Sequence, residues 1–329
     1  MSLSALLPTE GHHFWTKGAR AVDVCPRCGG GRPTLQVHAG LFRCTRCGLA
    51  GGPLQYLVAS GMRAVDAARA LGIQLTTPKQ VLRTLRMARM LFERTLWSEG
   101  LVATSYLQAR GIRPNIAARF HLGATPAAGS LVRHLRRQGF APVDLLASGL
   151  LRRQGSRFVE LLRSRLIFPL CDPTGRTLGF AGRALDTASL KYLNTRVSAA
   201  GSGRNTLFGL PQAARAIRRQ RCAWIVEGYI DVLACHQAQL DWVVAVGGTL
   251  PTILQALQLR RLSSRVVLLL DGGTVSEVVL RAARPLRAVG LEVMAATLPA
   301  GVDPDALVIR EGPDALVRVA ARAARLIAL

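Results

Sequence analysis

The chain has 329 residues, half of them hydrophobic, with 43 Lys and Arg against 19 Asp and Glu and a formal net charge of +24. A chain of this length has room for about two or three domains and buries a core without a disulfide framework, and its apolar content excludes global disorder. No stretch approaches the roughly 18 uncharged apolar residues of a membrane span, and the start MSLSALLPTEGHHFW lacks the basic segment and long apolar run of an export signal, so a cytoplasmic protein with no membrane association is expected. Only Lys17, Lys79 and Lys191 are lysines. Codon usage accounts for Arg over Lys but not for the excess of cations over anions, which calls for a polyanionic partner, most often nucleic acid.

The first 60 residues are rich in Gly, Cys and turn formers, with short β-like pieces at 34–37 and 41–43. Such a module is too small to close a core alone. Cys25-Pro-Arg-Cys28 and Cys44-Thr-Arg-Cys47 are separated by residues 29–43. Each pair makes a tight knuckle, and two knuckles on facing hairpins build the tetrahedral sulfur cage of a structural Zn²⁺; an iron–sulfur cluster is the rival occupant. Four sulfurs saturate the ion, so His12, His13 and His38 are read as surface or packing residues, and the zinc has no open position for chemistry. Trp15, Phe42 and Arg43 lie close by, as ribbon packing or as a stacking platform for single-stranded bases.

Apolar spacing then predicts a helix over 55–71, a linker and helix start at 76–78, and a long helix over 79–110 closed by the turn at 111–114. Short helices follow over 115–155. Apolar runs at 166–170 and 177–180 flank Asp172-Pro173-Thr174-Gly175, a hairpin signal. The last third changes character: strands at 223–226, 242–246, 266–270 and, more weakly, 291–295 alternate with helices at 230–239, 251–261 and 277–289. That order is an α/β fold, a parallel sheet with helices on both faces. The expected organisation is a zinc module over 1–75, a mixed α+β segment over 79–215 and the α/β domain over 216–329.

Three of these strands end in acid. The first runs into Glu227-Gly228-Tyr229-Ile230-Asp231, the third into Asp271-Gly272-Gly273, and the last leads to Asp303-Pro304-Asp305. Open α/β sheets place ligands at the C-terminal ends of their strands. Singly, each acid reads as a helix cap or turn. Together, five carboxylates at one edge of a strongly basic chain repel unless protonated or bridged by cations, and Mg²⁺ or Mn²⁺ serving phosphoryl transfer is the natural bridge.

Here the chain resembles a known family. IVEGYID at 225–231, VGGTL at 246–250, LLLDGG at 268–273 and GVDPDAL at 301–307 resemble the TOPRIM domain of bacterial DnaG-type primases. Upstream, Ser105-Tyr106-Leu107 with Arg110-Gly111-Ile112, SRLIFPLCD at 164–172, GFAGR at 179–183, KYLN at 191–194 and Phe208-Gly209-Leu210 resemble that family's basic subdomain, and the cysteine module resembles its zinc ribbon. The resemblance implies RNA primer synthesis on single-stranded DNA from ribonucleoside triphosphates. It implies that Glu227 and Asp271 are catalytic and that Glu227, Asp231, Asp271, Asp303 and Asp305 hold Mg²⁺ or Mn²⁺. Arg165, Arg183, Lys191 and Asn194 would grip template or triphosphate. Arg133, Arg136, Arg137, Arg152 and Arg153 are read as diffuse attraction. Four departures stand out. Cys28 occupies a position where many members have His, Gly273 replaces an Asp of the family's DGD, Val275-Ser276 replaces Ala-Gly, and the chain is expected to lack the C-terminal helicase-binding domain, which leaves a separate replicative helicase as partner. Glu277, four residues on from Gly273, is the next acid in the chain and a candidate to reach back, though nothing requires it. A catalytically weakened or inactive relative that binds single-stranded nucleic acid is the second reading. A topoisomerase needs a catalytic tyrosine domain for which there is no room, and a nuclease conflicts with KYLN and GFAGR.

Overall fold

A computed structural model describes residues 21–23, 25–28, 35–38, 41–51, 53–61, 76–154, 157–186, 190–195, 201, 203–248, 250–272 and 276–326. Two units are present, Met1–Leu75 and Thr76–Leu329.

In the first unit, strands β1 (Ala21–Asp23), β2 (Leu35–His38), β3 (Leu41–Cys44) and β4 (Ala50–Gly51) form an antiparallel meander, followed by helix α1 (Pro53–Ala59). Its core is Leu35, Phe42 and Tyr56 with Cys25 and Cys44. The Phe42 and Tyr56 rings meet edge to face at 5.7 Å. With Phe42 buried in that contact, its role is ribbon packing rather than base stacking. The helix expected over 55–71 is seen as α1, and residues 62–75 lie outside the described ones, as do Trp15, His12 and His13. Among the described residues this core has three large buried apolar side chains, and a small module of this kind gains folding energy from a bound ion.

The second unit opens with α2 (Pro78–Ser98), capped by Thr77, whose hydroxyl accepts from the Gln80 N–H at 3.1 Å, and started by Pro78 at its first position. Val81, Leu85, Ala88, Phe92 and Leu96 face inward at helical spacing. The single helix expected over 79–110 is broken: α3 (Leu101–Ala109) is separate. At Gly100 a Cβ would press on the Leu96 carbonyl, so the chain turns there at no steric cost. Helix α4 (Pro114–Arg119), strand β5 (Gly123–Ala124) and helices α5 (Ser130–Arg137) and α6 (Pro142–Ala147) follow in chain order, and β6 (Leu151–Gln154) and β7 (Arg157–Glu160) make a two-stranded ribbon. Next come β8 (Arg165–Cys171), β9 (Thr177–Ala184) and β10 (Tyr192–Asn194), giving an antiparallel sheet of order β10-β9-β8-β5. Its hairpin turn is tied by Asp172, whose Oδ1 accepts from the N–H groups of Thr174 at 2.9 Å and Arg176 at 3.0 Å.

The α/β part follows: α7 (Leu210–Gln220), β11 (Cys222–Val226), α8 (Tyr229–Gln237), β12 (Val243–Ala245), α9 (Ile253–Arg260), β13 (Arg265–Leu270), α10 (Ser276–Ala288), β14 (Glu292–Thr297), α11 (Pro304–Glu311), α12 (Pro313–Ala321) and β15 (Ala324–Arg325). The sheet order is β12-β11-β13-β14-β15, parallel except for β15. Alternate residues serve opposite faces. Trp224, Val226, Val267 and Leu269 join Ile230, Leu233, Leu307 and Leu316 of α8, α11 and α12 in one core. Ala223, Ile225, Val266 and Leu268 join Leu210, Ile217, Leu259 and Leu286 of α7, α9 and α10 in another. Helices thus cover both faces. The first core continues into Leu166, Phe168 and Leu170 of β8, so the antiparallel sheet and the α8 face are packed as one body. No helix among the described residues is long and apolar enough to cross a membrane.

Candidate functional site

The first unit gathers Cys25, Cys28, Cys44 and Cys47 so that the four sulfurs lie within 4.8 Å of one another. Cys25 to Cys47 and Cys28 to Cys44 are each 3.7 Å. A sulfur tetrahedron around zinc at about 2.3 Å has edges of about 3.8 Å, so these separations fit the ion closely. The Cys47 N–H points at Cys44 Sγ at 3.4 Å, and Gly48, at φ +73°, lets the knuckle turn so that the Cys44 N–H reaches the Leu49 carbonyl. Partial burial and then the neighbouring sulfurs push the Cys28 thiol up to about 12; a dication reverses that cost.

In the second unit, the acids follow adjacent parallel strands: Glu227 after β11, Asp271 after β13, Asp303 after β14. Gly272 brings the last two together. Its N–H donates to the Val302 carbonyl at 3.2 Å, and a Cβ there would collide with the Pro299 backbone. Only glycine allows this approach.

The five acids divide in two. Asp231, Asp303 and Asp305 present carboxylate oxygens within 4.8 Å of one another. Asp231 is buried; its oxygens accept from the Gly228 N–H at 3.0 Å and the Asp305 N–H at 3.2 Å, which pins the starts of α8 and α11 together. Asp305 is 2% exposed; Oδ2 pairs with the Arg110 guanidinium, while Oδ1 is buried without a donor. Asp303 caps α11, accepting from the Ala306 N–H at 3.1 Å. Burial, and then Asp305, push Asp231 up to about 7; burial and the hydrogen bond with Asp303 push Asp305 up to about 6, against Arg110. Asp303 is held below its ordinary value, first by that bond with Asp305. The other subset is Glu227 and Asp271. Burial raises both, reinforced at Glu227 by Asp271 and at Asp271 by Asp303, while Lys191 pulls Asp271 back. Orphaned buried oxygen and raised carboxyls are what a set of hard oxygen donors shows before a divalent cation arrives, so these residues fit Mg²⁺ or Mn²⁺.

A cavity of about 570 Å³ opens over this edge. Glu227, Asp231, Asp271 and Asp303 line one side; Arg110, Arg183, Lys191 and Asn194 line the other. Arg183 is held between two tyrosines, its guanidinium 4.6 Å from the Tyr106 ring centre and 5.5 Å from that of Tyr192, and it donates to the Tyr192 hydroxyl at 3.3 Å. Two expectations change. Arg165 does not join this group: it is 5% exposed and donates to the carbonyls of Gly182 at 2.9 Å and Leu190 at 2.8 Å, stitching β8 to β9 and the loop beyond. Arg110, not singled out as a site residue, does join it. Gln237 fixes the adjacent turn by accepting from the Arg113 N–H and donating to the Gly111 carbonyl, each at 2.8 Å. The only signal for Arg110 was its place in the Arg110-Gly111-Ile112 segment. Gly273 lies outside the described residues, and Glu277 is exposed and does not line the cavity.

Residues 91–214 match the family model "DNA primase catalytic core, N-terminal domain", and residues 224–308 match "Toprim-like". The DNA primase of Myxococcus xanthus is 34% identical over 281 residues, covering 80% of this chain and 46% of that protein. The crystal structure of the Aquifex aeolicus primase zinc-binding and RNA polymerase domains superimposes with a TM-score of 0.70 at 26% identity, covering 99% of this chain and 84% of that one. A DnaG primase catalytic domain bound to single-stranded DNA matches with a TM-score of 0.67 at 29% identity, covering 75% of this chain and 80% of that one. The chain spans about half the length of the curated relatives it matches. With a relative 34% identical over 80% of the chain and these family models matched, the chain belongs to the bacterial DnaG-type DNA primase family.

Proposed function

We propose that the chain synthesises short RNA primers on single-stranded DNA. The observation that carries this reading is the cavity itself, with carboxylates from three parallel strand ends facing Arg110, Arg183 and Lys191 across a space of nucleotide size. A triphosphate needs cations for its oxygens, and a nucleotidyl transfer needs charge stabilised on the attacking and leaving oxygens. Asp271, Asp303 and Asp305, with Glu227, would hold Mg²⁺ or Mn²⁺, which supplies that stabilisation when bound. Glu227, raised by burial and by Asp271, is suited to accept the proton of the attacking hydroxyl. Asp231 holds the edge together through two backbone N–H groups. Arg183, stiffened by its two tyrosines, and Lys191 bind phosphate; Asn194 orients the sugar or base. The four cysteines hold structural zinc, and the +24 chain attracts the template. A separate replicative helicase is the partner such a primase works beside.

Gly273, in place of a family Asp, favours a second reading: a weakened or inactive relative that binds single strands. One assay separates them. Labelled ribonucleotides on several single-stranded templates, with Mg²⁺ or Mn²⁺, should give short RNA from the wild-type chain and none from Glu227→Gln. Inert wild-type protein on every template with both metals establishes the second reading. Full synthesis by Glu227→Gln overturns the site.

A further inference from the structure

The antiparallel sheet has two faces, and the cavity uses only one. On β8, Leu166, Phe168 and Leu170 point into the core shared with α8, while Ile167 points the other way. On β9, Ala181 shares the first face and Phe180 the second. By strand alternation Arg183 belongs with Ala181, and Tyr192 packs on the first core while Leu193 packs on the second. Cavity and cations therefore stand on the first face.

The second face carries α2, α5 and α6, through Val81, Leu85, Leu131, Leu135 and Leu145. Burying Leu131 and Leu135 turns Arg133, Arg136 and Arg137 outward, at the i, i+3, i+4 spacing of one helix stripe, and all three are exposed. Their stretch of chain offers no exposed acid in return. Between residues 100 and 159 the only acid is Asp144, which is buried and accepts from the Ala141 N–H at 2.9 Å. Glu160 is also buried, and its two oxygens accept from the N–H groups of Gly129 and Val132, each at 3.1 Å. That bond sets β7 against the start of α5. The local field is positive enough to tell on His134: burial first, then Arg94 and Arg137, hold it below its ordinary value.

Phe158 completes the pattern. It lies two residues before Glu160 on β7, so it shares the ribbon face that meets α5. Yet it is 53% exposed, a large aromatic left in water on the ribbon that Glu160 ties to the start of the arginine-bearing helix. An aromatic face flanked by unpaired guanidinium groups is what a single-stranded nucleic acid takes: phosphates on the cations, a base on the ring. A duplex hides its base faces and gains only from the cations.

We propose that α5 and the β6–β7 ribbon form a second single-strand-binding surface, on the sheet face opposite the carboxylate cavity, in which Arg133, Arg136 and Arg137 take backbone phosphates and Phe158 stacks a base. It rests on the primase reading only for the choice of polyanion, and its test reads binding, not synthesis. The full chain is titrated with an oligothymidylate and with a duplex of equal length over a range of salt. Replacing all three arginines (Arg133→Gln, Arg136→Gln, Arg137→Gln) should flatten the log–log salt slope on single strands by about 2, at about 0.7 for each phosphate no longer neutralised. Phe158→Ala should weaken single-strand binding about tenfold and leave duplex binding unchanged. Phe158→Trp should restore affinity and add tryptophan emission that the oligonucleotide quenches. An unchanged slope, equal losses on single strands and duplex, or an unquenched tryptophan in the Phe158→Trp protein each overturn the proposal. The readout is binding, so a chain that makes no RNA still decides the question.

Discussion

The sulfur cage of the first unit and the carboxylate edge of the second are built to opposite plans. The cage draws its four sulfurs from two short knuckles, beside a core that, among the described residues, has three large buried apolar side chains. The edge draws its acids from the ends of β11, β13 and β14 and the starts of α8 and α11, all of which stand on two extensive cores that need no ion. A zinc ion in the first would hold its unit together; the second site is held by its unit. The acids there pay in mutual repulsion and burial, a cost that the fold carries and that a bridging cation would offset.

The largest effect that sharpens this contrast is loss of zinc. Structural zinc contributes on the order of 10–16 kcal/mol, more than a module of this size gains from its apolar core. Cys44→Ser should therefore unfold the first unit outright, seen as rapid proteolysis confined to residues 1–75 and as loss of zinc on metal analysis. The second unit should keep its melting midpoint. Survival of the first unit without metal would erase the distinction between the two sites.

A smaller effect tests the edge from the other side. Gly273→Asp adds one carboxylate two residues after Asp271 in the chain, a further oxygen donor for a hard cation. Divalent-metal affinity should rise by about tenfold or more, read by calorimetry, and primer synthesis should rise with it and depend less on Mn²⁺. The melting midpoint without added metal should fall, since a sixth acid joins a crowded set. No change in metal affinity would mean that Gly273 lies outside the ion's reach.

The two plans also explain what could be read from the sequence. A cage made of CxxC pairs is written in local spacing, and the four cysteines converge as expected. The parallel strands are continuous apolar runs buried on both faces, so 223–226, 266–270 and their neighbours stand out, whereas β15 is two exposed residues with no pattern to read. The acids at three strand ends were visible because strand ends share an edge. Long-range partners were not. Arg110 reaches Asp305 only because Gln237 ties its turn to α8, and Arg165 turns inward to backbone carbonyls that no sequence spacing announces. The break at Gly100 was hidden for a related reason: apolar periodicity runs through it, and the turn rests on a glycine with no Cβ to press on the Leu96 carbonyl.

The smallest effect is a stability signature of the edge with no divalent cation added. Asp231 and Asp305 sit at about 7 and about 6, above the ordinary 3.8, with burial as the first cause in each. A carboxyl whose folded value is raised binds its proton more tightly in the folded chain than in the unfolded one. Between the ordinary value and the raised one, stability then falls as pH rises, by linkage. Protein desalted without chelator, so that zinc stays in place, should lose several degrees in the melting midpoint of the second unit from about pH 5 to about pH 8. The fall should be steepest below about pH 6, where both carboxyls contribute, and should level off above about pH 7. Mg²⁺ binds the ionised acids and only the folded chain brings them together, so it should restore the midpoint at the high end and do little at the low end. Asp231→Asn removes the most strongly raised carboxyl and should flatten the profile. The cysteine site predicts no such Mg²⁺-dependent slope, because its ligands are sulfur. A midpoint that rises over this pH range, or one that ignores Mg²⁺ at its upper end, would show that the acids are held by the fold alone and that the edge, like the cage, is structural.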